Sequence, residues 1–243
     1  MIIGDLMTKN ELLKNIEKIN QRIQNAAQLA GRDPKEISLL LATKTRTPDL
    51  INEAIKLGYG LIGENRAQEL VEKAPFISQE TTTITPRETH FIGTLQGNKV
   101  NEVTAITDCI QSVDRIRIAR RINQYALDND LKRNIMIQVN SSRDPNKQGI
   151  MPEELPQFLK EMTEFSQLNV QGLMTIGLQS DDETIIRQGF AELKNLRDKM
   201  ISEGLLAKTA TDLSMGMSQD LELAILEGAT IIRVGSDIFG ARL

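Results

Sequence analysis

Eight short apolar runs, separated by stretches whose apolar residues recur at helical spacing, leave few folds open to this chain. The runs fall at 37–42, 60–62, 90–92, 108–113, 135–140, 170–176, 213–215 and 230–234. Their near-continuous apolar character suits strands covered on both faces, as in parallel sheets, rather than a sheet with one wet face. Between them, 114–127 and 182–202 are the clearest helices; in the second, Ile186, Phe190, Leu193, Leu196 and Met200 mark one apolar face and Gly204 closes the run. Thr47-Pro48 starts a helix reaching Leu57, and 64–73 reads as another. This alternation in 243 residues predicts an α/β fold, a (β/α)8 TIM barrel, with an open doubly wound sheet as the competing architecture. Ahead of the first strand, Thr8 and Glu11 make a capping box for an additional N-terminal helix, with Leu12, Ile16, Ile19, Ile23 and Ala27 on one face until Gly31. No linker or second periodicity divides the chain, so a single domain over 1–243 is expected. The Thr-rich segment 79–88 reads as a polar loop.

Charge and cysteine usage remove several function classes. With 29 Lys+Arg against 33 Asp+Glu, the net charge of -4 offers no bulk attraction for nucleic acid or an anionic membrane. One cysteine, Cys109, and one histidine, His90, exclude an internal disulfide framework and a Cys/His zinc set. No apolar stretch is long enough to span a bilayer. The opening Met1-Ile2-Ile3-Gly4-Asp5-Leu6 is apolar but lacks a basic leader and a cleavage site, so a cytoplasmic address is expected.

In a barrel of this kind, reactive groups gather at the C-terminal ends of the strands. There the sequence places Lys44, Glu64-Asn65, Gly93, Asp114, Asn140, Met174-Thr175, Met217-Ser218 and Arg233 to Ser236. A lysine ending a wholly apolar strand is partly desolvated, which favours the free amine needed for attack on an aldehyde. The plain alternative is an ammonium carried out to water on its flexible stem. Ser218 can cap the helix after Met217, and Gly235-Ser236 allows backbone amides to approach an anion, at the two strand ends where barrels commonly bind phosphate. Each taken singly is equally a cap or a turn glycine; their coincidence favours a ligand. Alternation aims Arg233 into the barrel, where its charge needs an acceptor: an acidic neighbour, or the ring nitrogen of a cofactor such as pyridoxal phosphate. His90 is available as a general acid or base, though no carboxylate or nucleophile is tied to it by spacing, and Cys109 is expected to be buried.

Six ordered segments carry a resemblance to a known family: L-L-L-A-T-K ending at Lys44, G-E-N-R from Gly63, H-F-I-G-T-L-Q-G-N-K from His90, G-L-M-T-I from Gly172, S-M-G-M-S from Ser214 and R-V-G-S-D-I-F-G from Arg233. The chain resembles the pyridoxal phosphate homeostasis proteins, also described as alanine racemase N-terminal-domain-like or proline synthetase co-transcribed proteins. The resemblance implies pyridoxal 5′-phosphate held as a Schiff base on Lys44. It also implies Ser218, Gly235 and Ser236 at the phosphate, Arg233 toward the ring nitrogen, and Asn65, Met174 and Met217 lining the pocket. The implied role is a cofactor carrier or buffer in vitamin B6 and amino-acid homeostasis, with no established reaction. The expected partners are the cofactor and apo-enzymes that require it, and the expected state is a monomer. A weak racemase-like enzyme is the alternative. Alanine racemases look similar around the lysine and phosphate site but add a C-terminal β domain bearing a catalytic tyrosine. This chain ends at Leu243, and its tyrosines, Tyr59 and Tyr125, are expected in a loop and a helix, away from any second-base position. A barrel enzyme for a plain phosphorylated sugar is a third, remoter reading. Thr43 stands where many relatives carry Ser, and the hydroxyl is preserved.

Overall fold

Helix α1, Lys9–Leu29, opens the described chain behind the expected cap: the Thr8 amide donates to Glu11 Oε2 (2.8 Å) and the Glu11 amide to Thr8 Oγ1 (3.2 Å). The computed structural model describes residues 7–240; the opening segment from Met1 to Leu6 and residues 241–243, including Leu243, lie outside the described residues. After α1 the chain alternates without interruption. The elements are β1 (Ser38–Ala42), α2 (Pro48–Lys56), β2 (Tyr59–Glu64), α3 (Ala67–Lys73), β3 (Thr85–Phe91), α4 (Val100–Ile106), β4 (Cys109–Val113) and α5 (Ile116–Asp128). There follow β5 (Arg133–Gln138), α6 (Leu155–Met162), β6 (Leu168–Met174), α7 (Glu183–Ser202), β7 (Asp212–Ser214), α8 (Leu221–Leu226), β8 (Ile231–Val234) and α9 (Ser236–Phe239).

The eight strands pair in parallel and in chain order, and β8 returns to β1 with Leu40 opposite Arg233 and Leu41 opposite Val234, so the sheet closes into a barrel. The competing open sheet is thereby excluded. Side-chain parity separates two apolar layers. Leu39 and Leu41 of β1 join the large layer between strands and helices. Leu40 instead joins Leu61, Cys109, Met136, Met174 and Ile231, one from each of six strands, in the lumen. Ala42 shares the inward parity of Leu40 on β1, and Lys44 follows in the turn after the strand.

Most boundaries move by one or two residues from the sequence reading, and three of the shifts have a visible cause. Glu64 ends β2 instead of starting a helix, because its carboxylate accepts from the Asn65 amide (2.9 Å) and from Lys73 (2.7 Å). Residues 85–88, expected in the loop, belong to β3: Thr85 Oγ1 accepts from the amides of Gly60 and Leu61 and draws a polar segment into the sheet. β6 ends at Met174, two residues early, since Ile176 is exposed. Among the described residues no helix is long and apolar enough to cross a membrane.

Candidate functional site

The turn that carries Lys44 is built by a neighbouring ion cluster. Thr43 still pairs with β2, its amide donating to the Gly63 carbonyl (2.9 Å), and the chain then reverses with Thr45 in the left-handed region (φ 64°) and the Arg46 amide on the Thr43 carbonyl (3.1 Å). Lys44 sits half-buried at the head of this reversal. Lys73, from the last turn of α3, donates to the Thr43 carbonyl (3.0 Å), Glu64 (2.7 Å) and Glu69 (2.8 Å). Glu69 Oε2 in turn accepts from the Thr45 amide (2.7 Å). One ammonium and one carboxylate therefore grip the residues on either side of Lys44. Burial raises the Glu64 carboxyl above its ordinary value despite Lys73, whereas at Glu69 burial is outweighed by Lys73 and the Thr45 amide and the carboxyl is lowered.

At the end of β2, Asn65 Oδ1 is buried and has no hydrogen-bond partner among the described residues, a condition it shares only with Ser112 Oγ. A buried acceptor of this kind calls for a partner that the described residues do not provide. Gly93 lies directly on the Asn65 backbone, and a Cβ there would overlap the Asn65 carbonyl. Met174, the last residue of β6, is wholly buried in the lumen.

The last two strands complete the rim. Gly216 takes a positive φ (93°) that suits glycine, and its carbonyl accepts from the Arg233 amide (3.0 Å). Ser218 does not cap the next helix, contrary to expectation. It lies in a turn, Asp220 precedes α8, and the Asp220 carboxylate accepts from the Met217 amide (2.6 Å). Burial raises the Asp220 carboxyl, against the Met217 amide and the charge of Arg233. The Ser218 carbonyl accepts from Arg22 of α1 (2.8 Å). Gly235 leads into α9, whose first residue, Ser236, is exposed; a Cβ on Gly235 would stand 2.9 Å from the Ala42 carbonyl of β1. Arg233 is buried, and its acceptors are the Ser214 hydroxyl and the Thr175 carbonyl (2.7 Å each), not a carboxylate. Burial pulls its guanidinium down to about 10, with Asp220 opposing, so it stays charged at neutral pH.

Lys44, Asn65, Met174, Met217, Ser218, Arg233, Gly235 and Ser236 thus all fall at the C-terminal ends of β1, β2, β6, β7 and β8, which form one contiguous arc of the barrel. The arc offers an amine, an unsatisfied amide oxygen, a guanidinium and two glycine-lined turns. That donor set fits an aldehyde, a ring acceptor and a phosphate. Both tyrosines lie elsewhere: Tyr59 begins β2 at the opposite end of the barrel, its hydroxyl accepting from Asn20 (2.5 Å), and Tyr125 is in α5. Lys73, Glu69 and Asp220 were not marked by the sequence; Thr175 was marked only as a strand end and Ser214 only as the start of a motif. Cys109 is buried as expected, and burial pushes its thiol well up.

Fold and rim define the class: a (β/α)8 barrel with a lysine and two glycine-bearing turns at the C-terminal ends of its strands. The chain belongs to the family described as alanine racemase, N-terminal domain, which matches residues 10–243. It is 36% identical over 229 residues to the pyridoxal phosphate homeostasis protein of Pasteurella multocida, covering 94% of this chain and 97% of that one. Among solved structures, an unknown protein from Bifidobacterium adolescentis superposes with a TM-score of 0.90 at 35% identity, covering 98% of this chain and 99% of that one. PipY of Synechococcus elongatus, solved with PLP bound, gives 0.78 at 30% identity over 91% of this chain and all (100%) of that one.

Proposed function

We propose that the chain binds pyridoxal 5′-phosphate at this rim, as a Schiff base on Lys44, and acts as a cofactor carrier or buffer in vitamin B6 and amino-acid homeostasis. The observation that carries the reading is the contiguity of the Lys44 turn, the unsatisfied Asn65 oxygen and the β7 and β8 turns on one arc. The PLP-bound PipY structure and the naming of the Pasteurella relative support it. In forming the link the Lys44 amine adds to the aldehyde carbon and one water leaves. Ser218, Gly235 and Ser236 hold the phosphate, Asn65, Met174 and Met217 line the pocket, and Arg233 faces the ring nitrogen. Bound there, the cofactor supplies an electrophilic carbon and an electron-withdrawing ring. A guanidinium does not give up its proton at neutral pH, so Arg233 keeps the ring nitrogen unprotonated and restrains carbanion chemistry. Neither tyrosine reaches the rim to serve as the second base of a racemase, which favours a buffer over turnover. In this reading residues 1–243 act as one cytoplasmic, monomeric domain that hands its cofactor to apo-enzymes.

The test is the absorption spectrum of the purified protein with added cofactor, before and after borohydride, beside Lys44→Ala and an alanine racemisation assay. The expected result is an imine band fixed on Lys44 by reduction, absent from the variant, with no steady turnover. An adduct on another lysine overturns the assignment, and racemisation abolished by Lys44→Ala overturns the buffer reading.

A further inference from the structure

A chain of hydrogen bonds crosses the barrel lumen from β8 to β3. Arg233 Nη1 donates to Ser214 Oγ (2.7 Å), the Ser214 hydroxyl donates to Gln111 Oε1 (2.6 Å), Gln111 Nε2 stands 2.7 Å from His90 Nδ1, and His90 Nε2 stands 2.9 Å from Glu88 Oε2. With Gln111 Oε1 occupied by the serine proton, its amide nitrogen faces the imidazole and must donate. Nδ1 is therefore bare, and Nε2 carries the proton toward Glu88. Every donor points the same way, an arrangement in which each bond polarises the next. Gln111 and Ser214 are wholly buried, His90 and Arg233 nearly so, while the Glu88 side chain is 40% exposed and leaves the far end of the chain wet.

The chain has no slack at Gln111, because an amide presents one oxygen and one NH2. When the imidazole takes a proton from solvent at Nδ1, both ring nitrogens become donors, and Gln111 must turn its oxygen to His90 and its NH2 to Ser214. Ser214 Oγ then accepts from Gln111 and Arg233 together, and its own proton loses its acceptor in a dry lumen. The tether on Arg233 is weakened. The groups facing His90 are Glu88 on its own strand, Gln111 and the neutral Cys109 thiol on β4, and Asp212 on β7, whose carboxyl is raised by burial against its bond from Thr230.

We propose that His90 is a positioning residue for the rim: its protonation, relayed through Gln111 and Ser214, loosens Arg233 and lowers affinity for pyridoxal phosphate. The relay rests on the cofactor reading above, but its lumen half is testable without cofactor.

His90 is the only histidine in the sequence, so its imidazole resonances report directly, with no variant needed. In the free protein, nitrogen NMR should find the neutral ring protonated on Nε2, and Ser214→Ala, which cuts the chain between Gln111 and Arg233, should move the His90 titration. With pyridoxal phosphate, affinity measured from about pH 5 to 8 should fall about fivefold or more as His90 gains its proton. Linkage requires the His90 midpoint to drop on loading by the logarithm of the same factor. His90→Asn keeps an acceptor oxygen near the place of Nδ1 but cannot gain a proton, so it should lose this step while the cofactor's own ionisation persists. A proton on Nδ1 in the neutral ring, a titration unmoved by Ser214→Ala, an equal midpoint in free and loaded protein, or the full step in His90→Asn each overturns the relay. Failure of the wild type to bind cofactor at any pH overturns the site reading instead, and the free-protein titration then decides the relay alone.

Discussion

Lys73 holds three acceptors with one ammonium, and one of its two carboxylate partners, Glu69, also holds the Thr45 amide in the turn around Lys44. Replacing it with methionine keeps most of the stem's packing but leaves Glu64, 3% exposed, beside Glu69 without a counter-charge. Removing one partner of a buried pair strands the other, so Lys73→Met should cost about 3 kcal/mol in urea unfolding. It should also weaken cofactor binding while leaving any adduct on Lys44; a stable variant of unchanged affinity would show that the cluster does not position that turn. The candidate site was legible only where a residue ends its own strand. Lys44, Met174 and Arg233 stand at or near the ends of apolar runs, so parity and position found them. Lys73, Glu69, Asp220 and Ser214 act across elements, and their partners depend on strand register and helix docking, which spacing along the chain does not encode. Ser218 shows the same limit: a serine ahead of a helix is a reasonable cap, but Asp220 lies two residues nearer to α8 and bonds the Met217 amide.

At the scale of elements, Arg22 of α1 reaches both candidate phosphate turns. Arg22 pairs with Glu222 of α8 (2.6 Å), donates to the Ser218 carbonyl (2.8 Å) and reaches Asp237 of α9 (3.5 Å). Arg22→Met should lower stability by about 1 kcal/mol, the upper range for a partly exposed pair, and weaken phosphate-dependent binding more than that loss alone would suggest. The pH dependence has a definite sign. Burial would raise the Glu222 carboxyl, but Arg22 outweighs it and holds the folded value below the ordinary one. Its contribution is therefore present above an unfolded value of about 4.3 and is lost as pH falls through the lower folded value, a loss that Arg22→Met should abolish in acid unfolding curves. Elements with an apolar run and a cap, such as α1 and β1, were readable in advance. The polar start of β3 was not, because it is held by Thr85 bonding across to Gly60 and Leu61, and its alternate residues Glu88 and His90 enter the lumen's polar chain.

Closure of the barrel places the first and last strands side by side, and the candidate site straddles that seam. Gly235 lies against the Ala42 carbonyl where β8 meets β1, and Lys44 follows two residues beyond Ala42. A ligand linked to Lys44 and held by the β7 and β8 turns therefore bridges the chain's two ends. It binds only when the barrel is closed, so its binding energy adds to folding. At a cofactor concentration of one hundred times Kd this amounts to about 2.7 kcal/mol, which for a chain of this size should raise the thermal midpoint by about 5–10 °C. Lys44→Ala should lose most of that rise at the same cofactor concentration. Gly235→Ala separates seam from ligand: its Cβ presses on the Ala42 carbonyl, so the midpoint should fall even without cofactor, and the rise on adding cofactor should shrink as well. A full rise in Gly235→Ala would mean that the ligand does not use this turn, and no rise in the wild type would mean that it does not bridge the seam.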